Sequence, residues 1–135
     1  MTSARRTALW VFTGALAMGG GCSRVPWRLS LDGALKTAVQ EDRLVLVYYW
    51  RPFNRDCDQM ERTVFRSDEV LAQVREMIPV RLDATFARKR GEQLGLRQVP
   101  GFVVLAPNGE PLRRRSGPMD MDQFLAFLVM ARLSQ

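Results

Sequence analysis

Short apolar runs alternate along this chain with apolar residues at helical spacing. The run 44–49, Leu-Val-Leu-Val-Tyr-Tyr, is continuously apolar and rich in strand formers, which is typical of a central strand covered on both faces. The runs 78–82 and 102–105 predict two further buried strands. The turn residues at 107–110, Pro-Asn-Gly-Glu, predict a hairpin into a last strand at 111–114.

Helices are expected before, between and after these strands. Ser30, Asn54, Ser67 and Asp120 can each cap a helix start, and Gly95 can end a polar helix in the left-handed conformation. The positions expected to face the core are Leu31, Ala34, Leu35, Ala38, Val39, Met60, Val64, Val70, Leu71, Val74, Met77, Met121, Phe124, Leu125, Leu128 and Val129. The order is one helix, then βαβ, then ββα. It predicts a single α/β domain whose central mixed sheet is covered by helices on both faces.

The N-terminal residues have the composition of an export signal. Arg5 and Arg6 precede an apolar stretch at 8–18, which is too short to span a bilayer comfortably. The small residues 19–21 lead into Cys22, and this arrangement resembles a bacterial lipoprotein signal in which Cys22 becomes the acylated N-terminus. The alternative is that Cys22 simply lies near an ordinary cleavage site.

Lipid on Cys22 would tether the protein to a membrane without making it span the bilayer. The expected organisation is therefore a signal over 1–21, a short tether over 22–28 and one domain over 29–135. Ser23 stands where an aspartate retains lipoproteins at the inner membrane. We therefore expect a lipid-anchored protein of the bacterial envelope that faces the periplasm, with the outer membrane favoured.

Composition excludes several kinds of site. Histidine is absent, which excludes every triad, general base or metal site that depends on imidazole. The formal charge is +6, but the arginine-rich runs at 88–90 and 113–115 lack interleaved aromatic residues. An exported protein rarely meets nucleic acid, so solvated surface or contact with anionic lipid is favoured over nucleic-acid binding. With Cys22 acylated, Cys57 is the only free thiol, no internal disulfide can form, and no metal or other cofactor is expected.

Two short motifs stand at the ends of the predicted strands. The tetrapeptide 54–57, Asn-Arg-Asp-Cys, follows the first strand, and 99–101, Val-Pro-Gly, precedes the strand at 102–105. With these motifs in this order of elements, the chain from 31 to 133 resembles thioredoxin-like domains. It is most similar to the C-terminal domain of membrane thiol:disulfide interchange reductases and to their lipoprotein relatives. The resemblance implies a thioredoxin-like three-layer fold.

The resemblance also implies roles for individual positions. Asn54 occupies the place of the attacking cysteine in a Cys-x-x-Cys motif, and Cys57 that of the resolving cysteine. Asn54 cannot attack a disulfide, although asparagine is a good helix cap. Tyr48 stands where family members often bury an acid that shuttles protons. Pro100 matches a proline that the family holds in the cis form, where it and Val99 would line a substrate groove; alternatively, Pro100 only shapes a turn.

Three functions follow from these assignments. A redox-silent binding module would hold an exported peptide or protein in the groove with the help of Trp50 and Phe53, which could equally be ordinary packing over the strand ends. A monothiol disulfide oxidoreductase would work through Cys57, although a residue one turn into the helix is expected to be shielded. Copper(I) handling would use the sulfur atoms of Cys57 and Met60, although Met60 fits the core. We expect the binding module, acting in envelope thiol or assembly pathways, and leave its partner and oligomeric state open.

Overall fold

The computed structural model describes residues 24–135, and these residues form an α/β domain. The signal, Cys22 and Ser23 lie outside the described residues. The helices are α1 (Leu31–Glu41), α2 (Arg55–Arg62), α3 (Asp68–Arg75), α4 (Arg88–Gln93) and α5 (Met121–Leu133), with a short 3₁₀ helix at Val64–Arg66. The strands are β1 (Val45–Trp50), β2 (Ile78–Asp83), β3 (Gly101–Leu105) and β4 (Pro111–Ser116).

The four strands form one mixed sheet in the order β2-β1-β3-β4. Strand β1 runs parallel to β2, with Val45 opposite Ile78, and antiparallel to β3, with Tyr49 opposite Gly101. Strands β3 and β4 form the antiparallel hairpin predicted from the turn residues at 107–110. The predicted order of elements and the mixed sheet are thus confirmed.

A separate apolar core lies on each face of the sheet. On one face Leu46 and Tyr48 of β1 pack with residues from α2, the 3₁₀ helix, α3 and α5. On the other face Val45, Val47 and Tyr49 pack with residues from α1 and from the segment after α4. Because successive side chains of a strand point to opposite faces, the continuous apolar run of β1 supplies both cores.

Aromatic rings fill much of the first core. Neighbouring ring centroids are separated by 5.1 to 6.3 Å, mostly in edge-to-face arrangements. Such pairs contribute roughly 0.5–1.5 kcal/mol each beyond the area that they bury. The rings belong to Trp27, Tyr48, Phe65, Phe102, Phe124 and Phe127.

The predicted helix ends are confirmed by their hydrogen bonds. The side chains of Ser30, Asn54, Ser67 and Asp120 each accept a bond from a backbone N–H of the first helical turn. Asp120 forms a complete capping box, because Gln123 also accepts from the Asp120 N–H at 3.0 Å. These bonds fix where each helix begins relative to the strand or turn that precedes it.

The buried stripes of α1 and α5 differ in part from the prediction. Val39 is 66% exposed, so α1 buries a narrower stripe than expected. In α5 the predicted Met121 and Val129 are 40% and 44% exposed, whereas Phe127 and Ala131 are buried. Both candidate stripes of α5 have helical spacing, so periodicity alone could not choose between them. Packing against the sheet selects one of them. The helix α5 is rotated so that the Phe127 ring lies beside the Phe102 ring of β3, with 6.3 Å between the ring centroids.

The predicted tether is partly structured. Arg28 pairs with Val80 along the outer edge of β2, with its N–H donating to Pro79 and its carbonyl accepting from Arg81, both at 2.9 Å. Val25 is buried in the first core. Residues 24–28 therefore pack onto the domain, although the sequence predicted that the domain begins at 29. Their backbone forms hydrogen bonds with groups of β2 that the edge of the sheet would otherwise leave unpaired.

Phe102 offers a test of the aromatic core. It is fully buried and contacts the rings of Tyr48, Phe65, Phe124 and Phe127, so Phe102→Ala should lower the free energy of unfolding by about 3–5 kcal/mol. The measurement is urea denaturation of the purified protein. The control is Phe86→Ala, which changes an 88% exposed ring and should stay within about 0.5 kcal/mol of the unmodified protein. Equal losses for the two variants would contradict this packing.

Candidate functional site

The corner between β1 and α2 carries the sequence motif 54–57. Asn54 has an extended backbone and is the N-cap of α2, and its Oδ1 accepts a hydrogen bond from the Cys57 N–H at 3.0 Å. Its carbonyl accepts from the Asp58 N–H at 3.0 Å, which is the first bond of the helix. The first position of the motif is therefore occupied by an amide that caps the helix.

Cys57 is one turn into α2 and points into the first core. Its exposed fraction is 0%, and it is the only cysteine within residues 24–135. Met60 shares the same core and is 1% exposed. The expectation that the second motif position is shielded is confirmed, and a fully shielded thiol is inert toward reagents in solution while the domain stays folded.

Tyr48 lies beside Cys57 in the same core and is fully buried. Its hydroxyl oxygen is close to the thiol, but it has no partner in good hydrogen-bond geometry within the described part of the chain. Burial raises the pKa of Tyr48 far above the ordinary value for a phenol, and the neighbouring Cys57 thiol adds to this rise. The phenol therefore keeps its proton at physiological pH and cannot take one from a neighbouring thiol.

The two aromatic residues of the corner behave differently. Phe53 is fully exposed and has a backbone φ of 60°, a left-handed conformation that side chains with a Cβ rarely adopt. Trp50 is half-buried against the first core, and the Arg81 guanidinium carbon lies 4.7 Å from its ring centroid. Packing over the strand ends thus accounts for Trp50, but it does not account for Phe53.

The Val99-Pro100 segment lies at the same end of the sheet as this corner. The Val99–Pro100 peptide bond is cis, and Gly101 directly after it pairs with Tyr49 at the end of β1. The Pro100 carbonyl accepts from the Gly117 N–H at 2.8 Å. Among residues 24–135, no backbone group is bonded to the N–H or the carbonyl of Val99, so an extended chain could pair there.

Gly101 is required at the start of β3 for a steric reason. A Cβ added there would lie 2.7 Å from the Gln98 carbonyl oxygen, well inside van der Waals contact. The tight approach holds the 98–101 turn against the sheet, and a larger residue would push Val99 and Pro100 away from the corner.

Sequence reasoning missed two charged residues near this site. Arg81 interrupts the apolar run of β2 and is the register partner of Tyr48, so it lies on the Cys57 side of the sheet. Glu61 follows on α2, and burial raises its pKa, with nearby Asp58 adding to the rise and Arg81 opposing it. Arg81 itself could have indicated this site from the sequence, because it is a charged residue in the middle of a strand whose other residues are mostly buried.

The described residues contain no group of three or more histidine, cysteine, aspartate or glutamate side chains that could hold a metal ion. Cys57 and Met60 supply two soft sulfur atoms, and both belong to the packed core. Two sulfur donors alone are a poor copper(I) site, and neither sulfur atom is accessible to solvent. Within 24–135 no helix has the length and apolarity needed to cross a bilayer.

Comparison with known proteins places this site in a family. A family model described as a thioredoxin-like domain matches residues 31–132. The chain is 34% identical over 101 residues to the thiol:disulfide interchange protein DsbD of Pseudomonas fluorescens, and 35% identical over 102 residues to DsbD 2 of Pseudomonas aeruginosa. These matches cover 70% and 71% of this chain but only 17% of each relative.

Solved structures agree on the fold. A thioredoxin from Thermus thermophilus superposes with a TM-score of 0.70 at 21% identity, covering 84% of this chain and 89% of the thioredoxin. The oxidised C-terminal domain of DsbD from Neisseria meningitidis superposes with a TM-score of 0.64 at 18% identity, covering 81% of this chain and 99% of that domain.

The geometry of the corner predicts that a disulfide can be restored. Because Asn54 and Cys57 are three residues apart at a helix start, Asn54→Cys should give a domain that forms a reversible intramolecular disulfide with Cys57. The matched control is Arg55→Cys, two residues from Cys57, where the two side chains do not face each other. Free thiols are counted before and after mild oxidation. Intermolecular dimers alone, or equal oxidation of the two variants, would contradict this geometry.

Proposed function

Because this chain belongs to the thioredoxin-like family, we propose that it uses the family scaffold as a binding module that has lost dithiol exchange. In this proposal the protein is exported and tethered to a membrane, and it holds a peptide or protein partner beside Trp50, Phe53, Val99 and Pro100. It would act in thiol or assembly pathways of the bacterial envelope.

The observation that carries the proposal is the Asn54 cap over a buried Cys57. Exchange needs one accessible thiolate to attack a disulfide and a second thiol to resolve the mixed disulfide. Asn54 supplies an amide at the attacking position, and Cys57 is 0% exposed at the resolving position. Tyr48 holds its proton and offers no base. Each of these three features removes a different requirement of the exchange reaction.

The surface that remains is suited to holding an extended peptide. The unpaired Val99 backbone can add a strand-like partner through main-chain hydrogen bonds, and the exposed Phe53 ring can cover a partner side chain. Trp50 ends β1 at the same edge of the sheet, and its half-buried ring would add apolar surface beside them. Aromatic anchors beside unpaired backbone are common in peptide-binding sites.

The two alternatives are less well supported. A monothiol oxidoreductase needs Cys57 to meet a substrate, and its complete burial opposes this. Copper(I) handling needs sulfur atoms that an incoming ion can reach, and both Cys57 and Met60 are buried in the packed core.

Location in the envelope is supported by the N-terminal sequence and by the relatives named as thiol:disulfide interchange proteins. The export signal over 1–21 would direct the chain across the inner membrane, and lipid on Cys22 would retain it at a membrane surface. Ser23 favours the outer membrane over the inner one. Residues 24–28 then connect the anchor to the sheet through the Arg28 bridge, so the domain would lie close to the membrane.

A binding module without thiol chemistry should be insensitive to the loss of Cys57. In an insulin-reduction assay, the unmodified protein and Cys57→Ser should both remain at the uncatalysed rate. After crosslinking in intact cells, both should capture the same partner in equal amounts. Phe53→Ala should reduce capture several-fold, because it removes the exposed ring at the corner.

Val39→Ala is the matched control for this capture experiment, since Val39 is 66% exposed on α1, which packs on the other face of the sheet from α2, and its loss should leave capture unchanged. Turnover in the insulin assay that disappears in Cys57→Ser would support the monothiol enzyme instead. Equal capture by Phe53→Ala and the unmodified protein would exclude the corner as the binding surface.

The proposed anchor makes a separate prediction. Growth with a palmitate analogue should label the protein, and Cys22→Ser should abolish both the label and retention in the membrane fraction. Cys57→Ser serves as the matched control, because it removes the other cysteine of the chain and should leave both unchanged. Label that survives in Cys22→Ser would exclude this anchor.

A further inference from the structure

A second concave surface lies beside α2, and the Val99-Pro100 turn does not line it. It is an open pocket of about 640 Å³ between the N-terminal segment 24–29 and the residues of α2 and the 3₁₀ helix. Trp27, Leu29 and Phe65 form apolar parts of its wall, and Arg81 reaches it from β2. A volume in this range accommodates a small organic molecule.

Arg81 is an incompletely satisfied cation in this pocket. Its guanidinium lies 4.7 Å from the Trp50 ring centroid, which fixes its position. Its Nε is buried and has no hydrogen-bond partner in the described chain. Leaving a buried donor of a charged group unpaired is costly, and an anion beside the part of the guanidinium that lines the pocket would offset this cost by pairing with its charge.

The charge of the wall favours an anion. Four arginines line the pocket, against two carboxylates, Asp58 and Glu61. None of these six side chains takes part in an ion pair within residues 24–135, where all the ion pairs involve other residues. The arginines are Arg24, Arg62, Arg66 and Arg81. Their excess positive charge is therefore available to a ligand.

We propose that this pocket binds a small organic anion that carries one carboxylate and an aromatic or aliphatic group. The carboxylate would pair with the part of the Arg81 guanidinium that lines the pocket, because a guanidinium offers paired N–H donors to two oxygen atoms. The apolar group would lie against Trp27, Leu29 and Phe65. Asp58 and Glu61 select against ligands of higher negative charge, since a second ionised group would lie near their carboxylates.

This site is separate from the proposed peptide groove. Trp50 lies between them and contacts Arg81, but Phe53, Val99 and Pro100 do not line the pocket. The inference thus goes beyond the proposed function, and each can fail without the other.

The test is a calorimetric titration of the full chain with N-acetylphenylalanine, which has one carboxylate and one aromatic ring. Saturable binding is expected, with a dissociation constant in the millimolar range or tighter. The uncharged N-acetylphenylalanine amide should bind at least tenfold more weakly, because it cannot pair with Arg81 as an anion. Inorganic phosphate should also bind more weakly, because it lacks the apolar group and carries more charge.

Variants locate the binding. Arg81→Gln should weaken binding of N-acetylphenylalanine at least tenfold, and Arg113→Gln should leave it unchanged, because Arg113 is exposed on the edge strand β4 and does not line the pocket. If Arg81→Gln does not fold, the test uses a double variant that carries Arg62→Gln and Arg66→Gln, two exposed residues of the pocket wall. This double variant should also bind N-acetylphenylalanine at least tenfold more weakly. No saturable binding, equal affinity for the amide, stronger binding of phosphate, or full affinity in the folded pocket variants would each overturn the proposal.

Discussion

Burial of β1 on both faces is the constraint on which the rest of this structure depends. The strand lies between β2 and β3, and its residues from Val45 to Tyr49 are almost completely inaccessible to solvent. Alternation along the strand then assigns each side chain to one core. Tyr48 is placed beside Cys57, whereas Tyr49 fills the opposite core so closely that a Cβ at Gly91 would lie 2.6 Å from its ring. A shift of one residue in β1 would exchange the two cores and dismantle the corner at Asn54.

The features that could be predicted from the sequence are those that neighbouring residues determine. A continuous apolar run defines each interior strand, and a cap such as Asp120 with Gln123 defines a helix start through bonds three residues apart. The rotation of α5 is a different kind of feature, because it depends on how Phe127 meets Phe102 from a distant strand. The packing of residues 24–28 is similar, since only the free edge of β2 makes pairing by Arg28 favourable. In both cases the deciding contact is remote in sequence.

The same distinction applies to the candidate sites. Asn54 and Cys57 are separated by one helical turn, so their relationship was readable from the motif. The pocket around Arg81 is assembled from the N-terminal segment, α2 with the 3₁₀ helix, and β2, and no local pattern unites these three segments. A charged residue within a strand of buried residues was the one local sign of it. The charge at position 81 marks an unusual position in β2, but it does not indicate which residues surround it.

The corner keeps the backbone architecture of a thioredoxin-like domain, with an asparagine at the first position of the motif. The asparagine caps the helix start, because its Oδ1 accepts a hydrogen bond from the Cys57 N–H. The packing of the core does not require Phe53, which is fully exposed and held at a backbone φ of 60°. A left-handed conformation at a residue with a Cβ typically costs on the order of 1–3 kcal/mol and persists where surrounding structure enforces it. Because stability of the domain does not require this exposed ring, the proposed partner contact would give its conformation a function.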